Sequence, residues 1–348
     1  MNIVHIAWRG SKNYGDDVMA EAIKIFLWQK YKEYNYWVWA EERPHGDKWI
    51  YPFKIKICFL RKWWENRILR KTDLLIIGGG SVLHSANSSN WKRRGAEYLK
   101  KNNKNGRVVG VGLSIGPFGS QEDERACVKL LQILDTCSFR DEDSFKFAQK
   151  LNLPYKPILS FDLAASYLKF KNICPRNKVR TINNIGIAVR LPYKSNYTKV
   201  FNNYVELLRE LGKKYEKIKL FCFSNDEQKI ELNFCQKLYK EISLDNLEII
   251  PYVNDSKSFT EEIKRCDFFI STKLHGIVVP FLLDVPFISI SYQKKFEDFC
   301  DYINLPLQYR FLQSDFEPEL ILKNISLYSL GTTNKFFPLA MKNFEVFN

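Results

Sequence analysis

Short apolar runs alternate with longer amphipathic stretches along most of the chain. Eleven runs predict buried strands: Ile3–Trp8, Tyr36–Trp39, Leu74–Ile77, Val108–Val111, Cys137–Phe139, Ile158–Phe161, Ile185–Val189, Ile218–Phe223, Leu247–Ile250, Phe268–Ile270 and Phe287–Ile290. Amphipathic helical patterns lie between most of them, as at Asp17–Lys32, Glu122–Leu134, Asn202–Lys214 and Glu227–Ile242. Strands that alternate with helices in this way form parallel sheets from βαβ units. The pattern therefore predicts an α/β fold with two doubly wound, Rossmann-like domains.

The alternation stops once, at the stretch KFKNICPRNKVRTINN. This stretch is polar and basic, contains a proline and has no period, which is typical of a linker. The predicted organisation is an N-terminal domain, a linker, a C-terminal domain and a helical tail that packs back on a domain, over residues 1–168, 169–184, 185–315 and 316–348. Two doubly wound domains joined in this way would leave a cleft between them.

The composition is that of a globular protein with a surplus of positive charge. The 348 residues are 45% hydrophobic and 26% charged, and the formal net charge is +14. Such a surplus attracts polyanions, among them nucleic acid, anionic lipid and phosphorylated small molecules. The sequence carries none of the usual nucleic-acid-binding modules, so only the charge favours that partner and we expect no nucleic acid.

Three features predict a cytoplasmic protein. The eight cysteines stand at least ten positions apart, mostly in apolar surroundings, which indicates buried thiols in a reducing compartment. The N-terminus reads as a strand and lacks the basic region and cleavage site of a signal peptide. The stretch Leu274–Gln293 has a single charge, but Asp284 and two prolines interrupt it. It therefore predicts a helix followed by a buried strand rather than a membrane span.

Residues 48–71 hold eight basic residues and one acid, which is half of the surplus charge of the chain. Apolar side chains recur in this segment at helical spacing, and one more tryptophan adjoins them: Phe53, Ile57, Leu60, Trp63, Trp64 and Ile68. A basic face with Trp and Phe is typical of a helix that lies on an anionic membrane surface. The same pattern fits a helix packed on a domain with a solvated basic face, and Pro52 confines either helix to its C-terminal side.

Glycine-rich or charged segments follow several predicted strands, at the positions where parallel sheets bind ligands. Gly78–Ser81 would turn tightly and present N–H groups to an anion, or serve as a structural turn. Asn13–Asp17 places two carboxylates at the start of a helix. They fit the cap region of that helix, and Asp16 fits equally well as an acid or base facing a ligand.

Other charged positions at strand ends have simpler interpretations. Arg190 closes the run IGIAVR, where its fork suits a carboxylate or phosphate. Arg140 and Asp141 are expected to form a structural ion pair at a strand–helix corner, and Asp162 a second brace.

The segment STKLHG is the most informative of these. Ser271 or Thr272 is a candidate cap of the following helix, which would place Lys273 and His275 in its first turn. A cation and an imidazole at a helix N-terminus suit an anion and supply a proton donor whose ordinary pKa is near ~6.5. A core histidine that hydrogen bonds to the backbone is the alternative.

Together these motifs resemble the polysaccharide pyruvyl transferase family. The resemblance rests on their order and spacing over residues 1–300: Asn13, Gly15 and Asp16, then GGGS at 78–81, GLSIGP at 112–117, RDEDS at 140–144, Asp162, Arg190, KLHG at 273–276, Pro286 and Tyr292. It implies a GT-B-like architecture and the transfer of pyruvate from phosphoenolpyruvate onto two hydroxyls of a sugar. The products would be a cyclic ketal and phosphate. The family's usual motif is R-L-H-G, and here Lys273 replaces the arginine, which keeps the charge but loses the bidentate fork.

The resemblance also implies the site. His275 and Asp16 are the candidate acid and base, with neither role assigned to either residue. The candidate substrate ligands are Asn13, Gly78, Gly79, Gly80, Ser81, Ser114, Gly116, Arg190, Ser271, Thr272, Lys273 and Tyr292. We expect no cofactor and no metal, because the chain lacks a His/Cys cluster. Phosphoenolpyruvate is the expected donor, and the expected acceptor is a sugar of a capsule or exopolysaccharide, or its lipid-diphosphate-linked precursor. Such an acceptor fits a protein that lies peripherally on the inner face of the cytoplasmic membrane.

Two alternatives stay open at this point. A GT-B glycosyltransferase that uses a nucleotide sugar would release a nucleoside diphosphate instead of consuming phosphoenolpyruvate. A non-catalytic relative would bind glycans or membranes and would not bind phosphoenolpyruvate.

Overall fold

A computed structural model describes residues 1–7, 12–40, 48–50, 58–177, 179–192, 194–225, 228–331 and 333–348. In this part of the chain the strands are β1 Asn2–Ile6, β2 Asn35–Trp39, β3 Lys48–Ile50, β4 Leu74–Leu83, β5 Arg107–Ile115, β6 Thr136–Phe139, β7 Ile158–Leu159, β8 Asn184–Ala188, β9 Lys217–Cys222, β10 Leu247–Pro251, β11 Phe268–Ser271, β12 Phe287–Ser291 and β13 Arg310–Leu312.

The α-helices of the same residues lie between these strands and at the C-terminus. They are α1 Tyr14–Lys30, α2 Cys58–Leu69, α3 Ala86–Asn102, α4 Gln121–Leu131, α5 Glu142–Gln149, α6 Leu163–Phe170, α7 Tyr197–Lys214, α8 Ile230–Ile242, α9 Ser256–Lys264, α10 His275–Leu282, α11 Lys294–Tyr302, α12 Pro318–Asn324 and α13 Phe336–Met341.

The strands form two sheets, and every pairing between neighbours is parallel. The first sheet has the order β3-β2-β1-β4-β5-β6-β7, and the second has the order β10-β9-β8-β11-β12-β13. In both sheets the order reverses beside the first strand, which is the doubly wound arrangement that binds ligands beyond the carboxyl ends of its strands. The predicted fold class is therefore confirmed.

The chain divides into two compact units. One comprises residues 1–11, 16–170 and 335–348, and the other comprises residues 12–15 and 171–334. Residues 12–15 belong to the second unit although they lie near the N-terminus, and the predicted tail is shared, with its last fourteen residues in the first unit.

The C-terminal residues pack into the first unit through aromatic and amide contacts. Phe344 stacks on Phe26 of α1 with ring centroids 4.2 Å apart. The buried Asn343 amide accepts hydrogen bonds from Ser138 and Ser160 and donates one to the carbonyl of Phe161. These contacts satisfy buried polar groups at the ends of β6 and β7, so the tail completes the core of this unit.

All eleven predicted strands are present, with shifts of a few residues at their ends. Trp8, predicted at the end of the first strand, lies outside the described residues. The apolar stretch Leu274–Gln293 forms α10 and β12, as predicted. Within the described residues, no helix is both long and apolar enough to cross a membrane.

The basic segment 48–71 forms part of the first unit. It contributes β3 at one edge of the sheet and then α2; Pro52, Phe53 and Ile57 lie outside the described residues, as does the side chain of Leu60. Ile68 and Leu69 pack against the core, whereas Trp63 is 57% exposed.

Candidate functional site

Three neighbouring strands of the second unit end in charged or aromatic residues. β11 pairs with β8 through Ser271 and Ala188, and with β12 through Ser271 and Ser289. Arg190 follows β8, Lys273 follows β11 and Tyr292 follows β12. Because neighbouring parallel strands end at the same edge of a sheet, these three residues lie at the edge where an open α/β sheet binds its ligand. We call this edge, with the residues that pack on it, the 190/273/292 edge.

Arg190 lies over the ring of Tyr292. Its guanidinium carbon is 4.2 Å from the ring centroid, which is a cation–π contact. Its backbone carbonyl accepts a hydrogen bond of 2.9 Å from Gln313, which ties the residue to the end of β13. The stack fixes the plane of a half-buried guanidinium, and such a plane suits bidentate binding of a carboxylate or phosphate.

Ser271 and Thr272 shape the turn that follows β11. The Ser271 hydroxyl accepts from the Lys273 amide at 2.9 Å and donates to the Lys273 carbonyl at 3.0 Å. The Thr272 hydroxyl donates to the carbonyl of Ala188 at 3.1 Å. Both residues are fully buried. Their hydroxyls therefore stabilise the turn, and this geometry favours a structural role over the predicted role as ligands.

Steric contact with Ser271 explains why the KLHG motif has a glycine at position 276. A Cβ on Gly276 would lie 2.1 Å from the Ser271 hydroxyl oxygen, so no other residue fits the turn without displacing it. Helix α10 begins at His275, and Lys273 lies before it. The prediction that Lys273 lies in the first turn of α10 is therefore wrong. The Ser271 hydroxyl bonds to the backbone of Lys273, before the helix, instead of capping α10.

Lys273 forms an ion pair with Glu231, a residue that sequence reasoning missed. Its amine is 2.6 Å from one carboxylate oxygen, and the side chains of Lys273 and Glu231 are 19% and 6% exposed. The other carboxylate oxygen accepts from the amide of Phe223 at 2.7 Å. Burial raises the pKa of Glu231, and the attraction of Lys273 with the amides of Phe223 and Ser224 opposes that rise.

The residues 12–15 bring the Asn13 motif to the same edge. Tyr14 donates its amide to the carbonyl of Phe223 at 2.9 Å, and Asn13 bridges to Ser224 in antiparallel fashion. The Asn13 side chain accepts from the amide of Gly15 at 3.0 Å. A Cβ on Gly15 would lie 2.0 Å from Nδ1 of His275, so the half-buried imidazole packs directly on this glycine.

Gly15→Ala is expected to push the imidazole of His275 out of place and to lower the free energy of unfolding by about 1–3 kcal/mol, as overpacking does. At a helical position without a clash, alanine is more stabilising than glycine by up to ~1 kcal/mol. A lower free energy of unfolding in Gly15→Ala would therefore be caused by the clash with His275 and not by helix propensity. Denaturant unfolding measures it. Gly95→Ala is the control, because its Cβ meets the ring of Trp39 at 3.1 Å and a small shift relieves that contact. Equal effects of the two changes would contradict the packing of His275 on Gly15.

The first unit holds the other predicted ligands. Gly78–Ser81 lies inside β4 and not in a loop after it, so the prediction of a loop is wrong. Gly79 and Gly80 have φ of +82° and +99°, and the pairing of β4 with β5 is irregular between Gly80 and Leu83. Glycine supplies a left-handed backbone here within a strand, where the sequence pattern indicated a turn.

Ser114 and Gly116 lie at the end of β5, and both are half-buried. Gly116 has a φ of +71° and donates its amide to the carbonyl of Leu83 at 2.8 Å. Asp16 and Asp17 lie in the first turn of α1, where carboxylates stabilise the positive end of a helix.

Arg140 pairs with Asp162, and not with Asp141 as predicted. One guanidinium nitrogen is 2.8 Å from Asp162, and another donates to the Ser81 hydroxyl at 2.9 Å. Both charged side chains are over nine-tenths buried. Asp141 instead caps α5 by accepting from the Ser144 amide at 2.8 Å. The Arg140–Asp162 pair thus braces the ends of β6 and β7 and orients Ser81.

Among the described residues, no group of three or more His, Cys, Asp or Glu side chains is placed to hold a metal ion. The chemistry of the 190/273/292 edge is instead that of an anion site. It offers a guanidinium, an amine and an imidazole on a rigid scaffold.

Solved structures of similar fold include two UDP-GlcNAc 2-epimerases. The enzyme from Methanocaldococcus jannaschii is 13% identical with a TM-score of 0.65, and the match covers 100% of this chain and 98% of that one. The enzyme from Neisseria meningitidis, bound to UDP-GlcNAc, is 13% identical with a TM-score of 0.61 over the same shares, 100% and 98%. At such identities the likeness shows the fold alone, a GT-B-like fold of two Rossmann-like domains.

A search of curated proteins found no match. A family model does match, over residues 13–294, which is most of the chain and includes every residue of the predicted site. The chain therefore belongs to the polysaccharide pyruvyl transferase family.

Proposed function

We propose that this protein transfers pyruvate from phosphoenolpyruvate to two hydroxyls of a sugar in a cell-surface polysaccharide or its lipid-linked precursor. The methylene carbon of the donor takes a proton, which leaves an oxocarbenium-like centre at the neighbouring carbon. One sugar hydroxyl adds to that carbon and loses its proton. The carbon–oxygen bond to phosphate then breaks, and the second hydroxyl adds and loses its proton to close the cyclic ketal.

The observation that carries this proposal is the 190/273/292 edge. Phosphoenolpyruvate bears up to three negative charges, and the edge offers two cations beside an imidazole. Arg190 would bind the carboxylate or phosphate, and the Lys273 amine, which is paired with Glu231, would add a further hydrogen-bond donor. His275 would move the proton, and Asp16, which follows Gly15 in the sequence, is the second candidate for acid–base work. Asn13, Gly78, Gly79, Gly80, Ser81, Ser114 and Gly116 stay predicted ligands.

A nucleotide-sugar-dependent glycosyltransferase is the second candidate function. It is favoured by the fold, because the Neisseria meningitidis enzyme of similar fold binds UDP-GlcNAc. The replacement of the family arginine by Lys273 also bears on it, because a single amine lacks the bidentate fork that the usual R-L-H-G motif offers the donor.

Donor consumption separates the two candidates. The purified protein would be incubated with a panel of polysaccharide fragments and lipid-diphosphate-linked sugars, with either phosphoenolpyruvate or a nucleotide sugar as donor. The proposal expects phosphate release that depends on the acceptor, and a product heavier by a pyruvyl ketal in mass spectrometry. Release of a nucleoside diphosphate would overturn it. Calorimetry with phosphoenolpyruvate alone identifies a non-catalytic relative, which would bind none.

The exposed side of α2 supports a location at an anionic membrane surface. Trp63 is 57% exposed, and the exposed Lys62 and Arg67 flank it, with the guanidinium carbon of Arg67 5.5 Å from the ring centroid. An exposed aromatic ring between cations suits the boundary between lipid headgroups and acyl chains. A lipid-linked acceptor would be met at that surface.

Trp63→Ala is expected to weaken binding to vesicles that contain anionic phosphatidylglycerol by about tenfold, since burial of a large apolar side chain is worth about 1.5–3 kcal/mol. Co-sedimentation measures the partition coefficient. Trp28→Ala removes another exposed tryptophan, on α1, and serves as the control. Equal binding to neutral phosphatidylcholine vesicles, or no change on Trp63→Ala, would rule out this surface.

A further inference from the structure

Glu231 occupies an unusual place for a carboxylate. It lies in the first turn of α8, its side chain is 6% exposed, and both of its oxygens have partners in the second unit. One partner is the amide that follows β9, and the other is the amine of Lys273, which follows β11. A buried charge is retained at a cost in desolvation, so a carboxylate at this position calls for a reason beyond packing.

We infer that Glu231 is a positioning residue, whose carboxylate ties Lys273 to the end of β9 and so fixes the turn that carries His275. The inference deepens the proposed function and rests on it where it concerns turnover. It assigns no contact between Glu231 and the reacting atoms.

The first route from Glu231 to the imidazole runs through the turn after β11. The Lys273 amide and carbonyl both bond to the Ser271 hydroxyl, and the carbonyl also accepts from the amide of Gly276 at 2.9 Å. His275 lies between Lys273 and Gly276. The backbone of Lys273 is therefore bonded to the residues on both sides of the histidine, and its side chain is bonded to Glu231.

The second route runs through the end of β9. The amide of Phe223 donates to Glu231, and its carbonyl accepts from Tyr14. The next residue after Tyr14 is Gly15, on which the imidazole packs. The carboxylate of Glu231 thus holds the turn that carries the ring as well as the segment that the ring rests on.

The pair also explains how a lysine serves where the family has arginine. A lysine is a point charge on a flexible stem, whereas the fork of an arginine is oriented by its own geometry. Glu231 supplies an external orientation, because it fixes the amine at 2.6 Å in a site where the side chain of Lys273 is 19% exposed.

The test compares Glu231→Gln, which breaks the ion pair at the carboxyl end of β11, with a change that breaks a second buried ion pair at the other end of the same strand. Gln keeps the shape and the acceptor for Phe223 but removes the charge that holds Lys273. We expect kcat for pyruvyl transfer to fall by about tenfold, with KM for phosphoenolpyruvate changed by less than about threefold, because a misplaced catalytic group lowers the chemical step. Asp267→Asn is the control. Asp267 pairs with Arg176 at 2.7 Å, is similarly buried and lies at the opposite end of β11.

A second measurement is independent of turnover. The imidazole resonance of His275, assigned by its loss in His275→Gln, is expected to shift in Glu231→Gln and to stay in place in Asp267→Asn. Lys273→Met removes the other partner of the ion pair, so it provides the same test if Glu231→Gln does not fold. Lys273→Arg restores the charge and is expected to be at least about tenfold more active than Lys273→Met.

The outcomes separate the two proposals. A wild-type protein that does not consume phosphoenolpyruvate overturns the proposed function, while the imidazole resonance still tests the role of Glu231. An unmoved resonance in Glu231→Gln, or an equal shift in Asp267→Asn, overturns the positioning role even if the protein is an active pyruvyl transferase.

Discussion

His275→Gln is expected to lower kcat for pyruvyl transfer by about 10²–10⁴-fold, which is the range that a general acid or base contributes. Glutamine keeps much of the size and polarity of the imidazole but does not gain or lose a proton near neutral pH. The ring is half-buried, begins α10 and packs on Gly15, so it has a fixed position beside the turn that carries Lys273. Steady-state phosphate release, corrected for the fraction of folded protein, measures the effect.

The loss should lie in kcat rather than in KM. The donor is held by charge, and the change leaves Arg190 and Lys273 in place. His84→Gln is the matched control, because His84 is exposed and lies just after β4 in the first unit. A His275→Gln protein with wild-type kcat would show that the imidazole is a packed core histidine and would remove it from the mechanism.

Much of the fold could be predicted because buried parallel strands leave a strong pattern. Apolar runs bounded by glycine or charge marked eleven strands, and the same pattern marked the helices between them. The two missed strands, β3 and β13, have three residues each and lie at sheet edges. The two apolar residues in Lys48–Ile50 and the two in Arg310–Leu312 are runs too short to stand out.

The errors at Gly78–Ser81 and Arg140 have a common physical cause. Glycine most often marks a turn, yet the irregular register after Gly80 lets β4 continue through a left-handed backbone. Arg140 and Asp141 are neighbours in sequence, but successive residues do not face each other, and the partner of the guanidinium comes from the segment that follows β7. Local sequence reports local propensity, whereas ion pairs of this kind depend on tertiary structure.

The candidate site divides in the same way. Arg190, Lys273, His275 and Tyr292 could be found because each follows a predicted strand or belongs to a family motif. Glu231 could not, because it is one acid in an amphipathic helical pattern and looks like any solvated position. Its burial is decided by Lys273 and by the amide of Phe223, which meet it only in the folded chain.

Arg190→Ala is expected to raise KM for phosphoenolpyruvate by about 100-fold. A hydrogen bond to a charged group is worth about 1.5–3 kcal/mol, and a factor of 100 corresponds to about 2.8 kcal/mol. The guanidinium binds substrate and transition state alike in the proposed mechanism, so kcat should fall much less than kcat/KM does. Phosphate release over a range of donor concentrations gives both constants, and calorimetry with phosphoenolpyruvate alone gives the loss of binding directly.

Substitutions of Tyr292 test the orientation of the Arg190 guanidinium without removing its charge. Tyr292→Phe keeps a ring under the guanidinium and should leave KM within about threefold. Tyr292→Leu removes the stack, which is worth about 0.5–2 kcal/mol, and should raise KM by up to about thirtyfold. Arg190→Lys keeps a positive charge but neither the fork nor the planar stack, so its KM should lie between those of the wild type and Arg190→Ala. If Arg190→Ala instead bound phosphoenolpyruvate as tightly as the wild type, the donor could not sit on the stacked guanidinium, and the site for its phosphate and carboxylate would have to be sought away from the ends of β8 and β12.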